Sequence, residues 1–147
     1  MLPKKVLFCT DFSENSEEAQ RHALEYANAL EAELIVLHVL DLWAGVPTYN
    51  EGLYVYVRDA VGRLEEAARS KLEELGKICG ASVKKVTTLC VMGTPAEEIV
   101  RVANDQGVGL IVMGTHGWTG LRHMLLGSVA EKVLRTARSP VMVVRSR

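Results

Sequence analysis

The 147-residue sequence has no long apolar segment and no excess of charge of either sign. A helix that spans a bilayer needs about 20 consecutive apolar residues, and no stretch of this chain approaches that length, so we expect no membrane partner. The first residues, Met1-Leu2-Pro3-Lys4-Lys5, lead directly into Val6-Leu7-Phe8-Cys9 without the longer apolar core of a signal peptide. These features favour a cytoplasmic protein.

Neither the cysteines nor the basic residues form a pattern that is typical of a functional site. Cys9, Cys79 and Cys90 form neither a CxxC pair nor a metal-ligand spacing, so buried free thiols are the expected state. Seventeen Lys and Arg residues face 18 Asp and Glu residues, which gives a net charge of −1. Because nucleic-acid binding usually requires a basic surface, we expect no nucleic-acid partner.

What the sequence does contain is an alternation of short apolar runs and segments with helical periodicity. The length suits one domain, residues 1–147. Strands are predicted at 6–9, 34–39, 84–90, 110–113 and 141–144, and helices at 13–30, 55–79, 95–105 and 128–136. This pattern predicts an α/β fold, a single doubly wound domain with a five-stranded parallel sheet and helices on both faces.

Ligands of such sheets bind outside the carboxyl ends of the strands, where the strand order reverses. The ends of the first, second and fourth strands are therefore natural neighbours, namely Cys9-Thr10-Asp11, His38-Val39 and Met113-Gly114. The fourth strand is followed by Gly114-Thr115-His116-Gly117, and Gly127-Ser128 precedes the last helix. Glycines allow backbone N–H groups to approach an anion, and a helix N-terminus adds a positive dipole end. The arrangement favours a phosphate-bearing ligand, with a nucleotide as the leading hypothesis.

Several of these residues also have a purely structural interpretation. The glycines can simply permit a tight turn and a sharp helix entry, and Ser128-Val129-Ala130-Glu131 has the form of a capping box. Asp11 can contact a metal or ribose, or can instead cap the first helix or hold the turn at Ser13. For His38 we favour a buried, hydrogen-bonded core histidine over a ligand contact.

The glycine spacing Gly114-x2-Gly117-x9-Gly127-Ser128 resembles the signature of the ATP-binding branch of the universal stress protein family. The similarity extends over nearly the whole chain, including Val6 to Ser13, Leu37-His38-Val39 and Ser139-Pro140-Val141. The resemblance implies strand order 3-2-1-4-5, bound ATP with Mg²⁺ or Mn²⁺, and a homodimer paired through the last strand, Val141–Val144.

The resemblance also implies a role for each site residue. Asp11 would face the ribose or the metal, and Val39 would meet the adenine through its backbone. From their positions alone, Thr10 and Met113 lie at the strand ends beside this path. His116 flanks the glycine segment, where it can meet phosphate oxygens or can be plain solvated surface. The ribose-phosphate path would be lined by five further residues: Gly114, Gly117, Gly127, Ser128 and Val129.

No G-x4-G-K-[ST] motif occurs, so the phosphates would be held by backbone N–H groups without a dedicated lysine. Phosphoryl transfer needs a placed base and stabilisation of transition-state charge, and beyond Asp11 and Arg122 the sequence offers no such set. We therefore predict a regulatory, non-enzymatic ATP-binding protein with slow or negligible hydrolysis. A nucleotide-free regulatory dimer and an enzyme that uses an adenine nucleotide are the open alternatives, whereas Cys90-Val91-Met92 after the third strand argues against a phospho-receiver domain.

Overall fold

The computed structural model describes residues 1–41, 51–115 and 126–146, with the backbone alone for 51–55. Five strands form one sheet in the order β3-β2-β1-β4-β5, and every neighbouring pair is parallel. The strands are β1 (Lys5–Cys9), β2 (Glu33–Leu40), β3 (Val86–Met92), β4 (Leu110–Gly114) and β5 (Val141–Val144). The predicted fold class and strand order are confirmed.

Four helices connect these strands. They are α1 (Glu17–Ala29), preceded by a 3-10 turn at Glu14–Ser16, α2 (Glu51–Gly80), α3 (Pro95–Gln106) and α4 (Ser128–Thr136). The helix α2 begins at Glu51, four residues before its predicted start at Val55, and it includes Gly52. The cost of one helical glycine, about 1 kcal/mol relative to alanine, is small for a helix of this length.

The ends of α3 follow from local chemistry. Pro95 occupies the first turn, where its missing N–H costs nothing. Gly107 ends the helix in the left-handed conformation, with φ 64°. Thr94 and Glu97 have the spacing of a capping box, but Thr94 is the N-cap residue without a side-chain cap bond, and Glu97 pairs instead with Lys132.

The core has two layers, one on each face of the sheet. Alternation along β1 sends Val6 and Phe8 towards α1 and α2, and sends Leu7 and Cys9 towards α3 and α4. The central strands are buried on both faces, as is typical of parallel strands covered by helices. Within the described ranges, no helix combines the length and the apolar character that crossing a membrane requires.

Candidate functional site

A cavity of about 410 Å³ opens at the carboxyl edge of the sheet, between the ends of β1, β2 and β4 and the first turns of α3 and α4. The chain runs from β1 to β2 and β3 on one side and places β4 and β5 on the other, so the cavity lies at the point where strand order reverses. Its described lining consists of Cys9, Thr10, Asp11, Ser16, Leu37, His38, Val39, Leu40, Asp41, Pro95, Ile99, Met113, Gly114, Thr115, Gly127, Ser128, Val129 and Ala130.

Most of the residues predicted for a site lie around this one cavity. Thr10, Asp11, Val39, Met113, Gly114, Gly127, Ser128 and Val129 all line the cavity. The other two predicted residues, His116 and Gly117, lie outside the described residues, as do Arg122 and His123.

Thr115 joins the two sides of the glycine segment. The Gly127 N–H donates to the Thr115 carbonyl at 2.7 Å, and the Thr115 N–H donates to the Val144 carbonyl at 3.0 Å. The end of β4, the start of α4 and the end of β5 are therefore held together by one buried residue.

The backbone at Gly127 does not require glycine. Its φ of −71° and ψ of 158° lie in the extended region that most residues adopt, and Gly114 has no positive φ either. A sharp helix entry therefore does not explain the glycine at position 127. Two physical reasons for a glycine remain: it is favoured over bulky apolar residues at a helix N-cap, and it places no side chain in the cavity wall.

The helix α4 starts without a side-chain cap. Gly127 is the N-cap residue, Ser128 is already helical, and no side-chain cap bond forms, so the predicted capping box at Ser128 is wrong. The first intrahelical bond runs from the Glu131 N–H to the Gly127 carbonyl at 2.9 Å. The N–H groups of Ser128, Val129 and Ala130 have no intrahelical acceptor, and all three residues line the cavity. Together with the helix dipole, these N–H groups could hold an anion.

The negative charge near this helix end is turned away from the cavity. Glu131 pairs with Arg135 one turn along the exposed face of α4, and it is not part of the cavity wall.

The turn after β1 forms the opposite wall. The Asp11 Oδ1 accepts hydrogen bonds from the Ser13 N–H at 2.9 Å and from the Ser13 Oγ at 2.5 Å. The Thr10 Oγ1 accepts from the Phe12 N–H at 3.0 Å and lies 3.2 Å from the Ser16 Oγ. Asp11 thus holds the turn at Ser13, which was one of its two predicted roles, and it also lines the cavity.

His38 is hydrogen-bonded and half-buried, as expected of a core histidine. Its Nδ1 lies 2.9 Å from the Thr10 carbonyl oxygen. The nearby Cys9 thiol is free, and burial raises its pKa to about 12, so it stays protonated and unreactive at neutral pH. The cavity wall is in this respect chemically inert.

The sequence reasoning missed several lining residues, notably Ser16, Asp41, Pro95 and Ile99. Asp41 and Pro95 each follow closely on a strand end, so the same rule that selected Val39 could have selected them. The described lining contains two carboxylates, Asp11 and Asp41, and neither lysine nor arginine. Among the described residues of the lining, the donors for an anion are therefore backbone N–H groups and hydroxyl groups.

A parallel doubly wound sheet with a cavity at its reversal point is typical of the class of α/β proteins whose ligand sites lie at the carboxyl edge. The family model of the universal stress protein family matches residues 3–145. The chain belongs to that family.

Similar proteins cover nearly the whole chain. It is 38% identical over 153 residues to universal stress protein MJ0577 of Methanocaldococcus jannaschii, covering 97% of this chain and 94% of the relative. The solved structure of MJ0577 superposes with a TM-score of 0.87 at 36% identity, covering 100% of this chain and 99% of the other.

Two further solved structures contain adenine nucleotides. A universal stress protein in complex with cAMP has a TM-score of 0.70 at 24% identity, with 99% and 98% of the two chains covered. One from Archaeoglobus fulgidus in complex with dAMP has a TM-score of 0.67 at 21% identity, with 99% and 100% covered. At these identities the likeness to this chain is one of fold alone.

Proposed function

We propose that the protein binds an adenine nucleotide, with ATP as the expected ligand, in the cavity between the β1 turn and the start of α4. The observation that carries the proposal is the set of three backbone N–H groups, at Ser128, Val129 and Ala130, that line the cavity and lack intrahelical acceptors. The structural neighbours in complex with cAMP and dAMP support an adenine nucleotide. The volume of about 410 Å³ lies within the range of small-molecule sites.

The walls of the cavity divide into parts that suit different parts of a nucleotide. Leu37, Val39 and Ile99 provide apolar surface for a base, and the backbone of Val39 at the end of β2 would meet the adenine. Thr10 and Asp11 would face the ribose or the metal. The ribose-phosphate path would follow Met113, Gly114, His116, Gly117, Gly127, Ser128 and Val129.

The residues present suit a magnesium or manganese ion that arrives with the phosphates. No group of three or more His, Cys, Asp or Glu side chains in the described part of the chain is placed to hold a metal by itself. Magnesium usually binds through one or two carboxylates together with substrate phosphates, and Asp11 lies in the wall to provide one. The ion would neutralise phosphate charge.

Affinity in the micromolar range follows without a lysine. Each hydrogen bond to a charged phosphate contributes about 1.5–3 kcal/mol, and the helix end contributes about 0.3–2 kcal/mol more. Three such contacts, less the cost of immobilising the ligand, are consistent with a micromolar Kd, which corresponds to a binding free energy of about −8 kcal/mol.

We propose a regulatory role in the stress response with little or no hydrolysis. The carboxylate of Asp11 is engaged with Ser13, and the described cavity wall offers no cationic side chain to stabilise a transition state. ATP turnover is measured by phosphate release from purified protein. Rates near one per second, in the lower range for kinases, would contradict this role.

The expected assembly is a homodimer through β5. This strand pairs with β4 on one side only, and its other edge is the edge of the sheet. The carbonyls of Pro140 and Val144 accept from β4, so the alternation of the ladder directs the N–H and C=O groups of Val141 and Val143 outwards. Pairing of two copies in an antiparallel manner would satisfy these groups in a closed two-fold dimer.

Light scattering tests the dimer with a matched pair of variants. Val143→Pro removes an outward N–H and should yield monomers with the β4 ladder intact, whereas Met142→Pro removes a ladder bond and should destabilise the fold itself. A folded Val143→Pro protein that remains dimeric would exclude pairing through β5.

Nucleotide binding is tested on protein purified without added nucleotide. Mass spectrometry of the ligand released on denaturation should identify ATP or another adenine nucleotide, and calorimetric titration of stripped protein should give a Kd for ATP with Mg²⁺. GTP serves as the control, because the base pocket is expected to favour adenine. No released nucleotide and no binding heat at millimolar ATP would leave the nucleotide-free regulatory dimer as the function.

A further inference from the structure

A histidine from β2 holds the turn that follows β1. The Thr10 N–H donates to the Leu37 carbonyl at 2.9 Å, and the Thr10 carbonyl accepts from the His38 Nδ1 at 2.9 Å. Both backbone groups of Thr10 are therefore fixed by the neighbouring strand. Since Thr10 and Asp11 line the cavity, the position of this wall depends on those two bonds.

The bond determines the protonation of the imidazole. A carbonyl oxygen only accepts, so the His38 Nδ1 carries the proton, and in the neutral ring Nε2 is unprotonated. The bond therefore requires one specific tautomer. That tautomer is a measurable property of the ring.

The His38 side chain reaches the turn from the face of the sheet opposite α3 and α4. Along β2, Val36 packs with α1 and α2 whereas Leu37 packs with α3 and α4, and the alternation places His38 on the side of Val36. There its ring packs against Phe12, with centroids 4.4 Å apart and an angle of 33° between the ring planes. Phe12 itself packs against the α1 and α2 layer.

Phe12 adopts a backbone conformation that needs external support. Its φ of +64° lies in the left-handed region, which is unfavourable for a residue with a bulky side chain. The Phe12 ring is contacted by His38 and by the Lys71 ammonium of α2, 5.6 Å from the ring centroid. These ring contacts, with the Thr10 bond, hold the turn in this conformation.

His38 itself belongs to the cavity lining. We propose that its imidazole is a positioning group for the bound nucleotide, acting through Thr10 and the turn at Asp11. The inference rests on the proposed nucleotide function. His38 keeps the Thr10-Asp11 wall in place before the ligand binds. The affinity is therefore not reduced by the free energy that ordering this wall would require.

Two substitutions separate the hydrogen bond from the ring. Asparagine places its side-chain N–H₂ where the His38 Nδ1 lies, so His38→Asn keeps the donor and loses the stacking. His38→Phe keeps an aromatic ring and loses the donor. We expect His38→Phe to weaken ATP binding about tenfold and His38→Asn to stay within about threefold of the wild type, because a backbone acceptor left without its donor moves to find another.

Calorimetric titration with ATP and Mg²⁺, well below the melting temperature of each variant, gives these affinities. His22→Phe on α1, whose ring contacts Arg21 and Glu25 outside the cavity, is the matched control and should bind as the wild type does. A folded His38→Phe protein with wild-type affinity, or equal weakening in the phenylalanine and asparagine variants, would overturn the role of the bond.

The ¹⁵N spectrum of histidine-labelled wild-type protein provides a readout independent of the variants. Protonated Nδ1 and unprotonated Nε2 in the neutral His38 ring, with a resonance that shifts when ATP is added, are expected. The opposite tautomer would overturn the proposal even if His38→Phe fails to fold. If the wild type itself binds no ATP, the proposed function fails first, and that result is visible in the wild-type titration alone.

Discussion

The substitution Gly127→Val tests the α4 end of the cavity directly. The φ of −71° and ψ of 158° at this position are compatible with valine, and the N–H bond to Thr115 involves the backbone only. Because glycine is preferred over valine at a helix N-cap, we expect the free energy of unfolding to fall by about 1 kcal/mol with the fold retained. The branched side chain, however, enters the wall of the cavity beside Ser128 and Val129.

The expected loss of affinity follows from the number of N–H groups that the phosphates can no longer reach. Displacing the phosphates from two of the three groups costs about 3 kcal/mol, at about 1.5 kcal/mol for each bond to a charged group. At about 1.4 kcal/mol per factor of ten, this raises the Kd for ATP about 100-fold.

Calorimetric titration with ATP and Mg²⁺ measures the Kd, and circular dichroism melts measure the fold. Gly127→Ala should show a smaller loss, since its side chain is a single methyl group. Gly62→Ala on α2, where a new Cβ has no other atom within 4 Å, is the control and should bind normally. Unchanged ATP affinity in a folded Gly127→Val protein would show that the start of α4 does not hold the phosphates.

Two further predictions concern stability. Gly62→Ala and Gly76→Ala add the same methyl group to α2 and gain about 0.5–1 kcal/mol of helix propensity each, but the new Cβ at position 76 would lie 2.6 Å from the Thr88 Cγ2. Thermal melts should therefore show that Gly62→Ala is stabilised and that Gly76→Ala is destabilised. Adding Thr88→Ser to Gly76→Ala removes the clashing methyl group and should restore stability. Equal melting temperatures for the two alanine variants would contradict the close approach of α2 to β3. Hydrogen bonds from Thr87 and then Lys85 hold the pKa of the Glu33 carboxyl below its usual value of 4.5. A carboxyl group whose pKa is lowered in the folded state adds to the free energy of unfolding at pH values above its usual pKa. This contribution is lost as the pH falls through the folded pKa. Glu33→Gln should therefore be less stable than the wild type at neutral pH and equally stable in acid, and a difference in stability that did not change with pH would contradict this explanation.

Much of the fold is predictable because its signals are local. The apolar run at Leu110–Met113 and the glycine at position 107 mark a buried strand and a helix end whatever the rest of the chain does. The edge of the sheet that carries the cavity also follows from the sequence, since parallel strands bring Thr10, Val39 and Met113 to the same side.

The parts that were wrong or missed depend on geometry that a sequence pattern does not determine. Ser128 and Thr94 both precede a Glu at capping-box spacing, yet neither hydroxyl makes a cap bond. A serine that caps a helix and a serine that occupies its first turn have the same local sequence. The bond between His38 and Thr10 joins residues 28 positions apart and depends on the register of β1 and β2, which only the folded sheet provides.

Thr115 gives the molecule a mechanical property that the cavity alone would not have. Its carbonyl secures the entry to α4, and its N–H secures the last residue of β5. These two bonds lie on successive peptide groups of one residue, so a displacement of Thr115 would move the start of α4 and the end of β5 together.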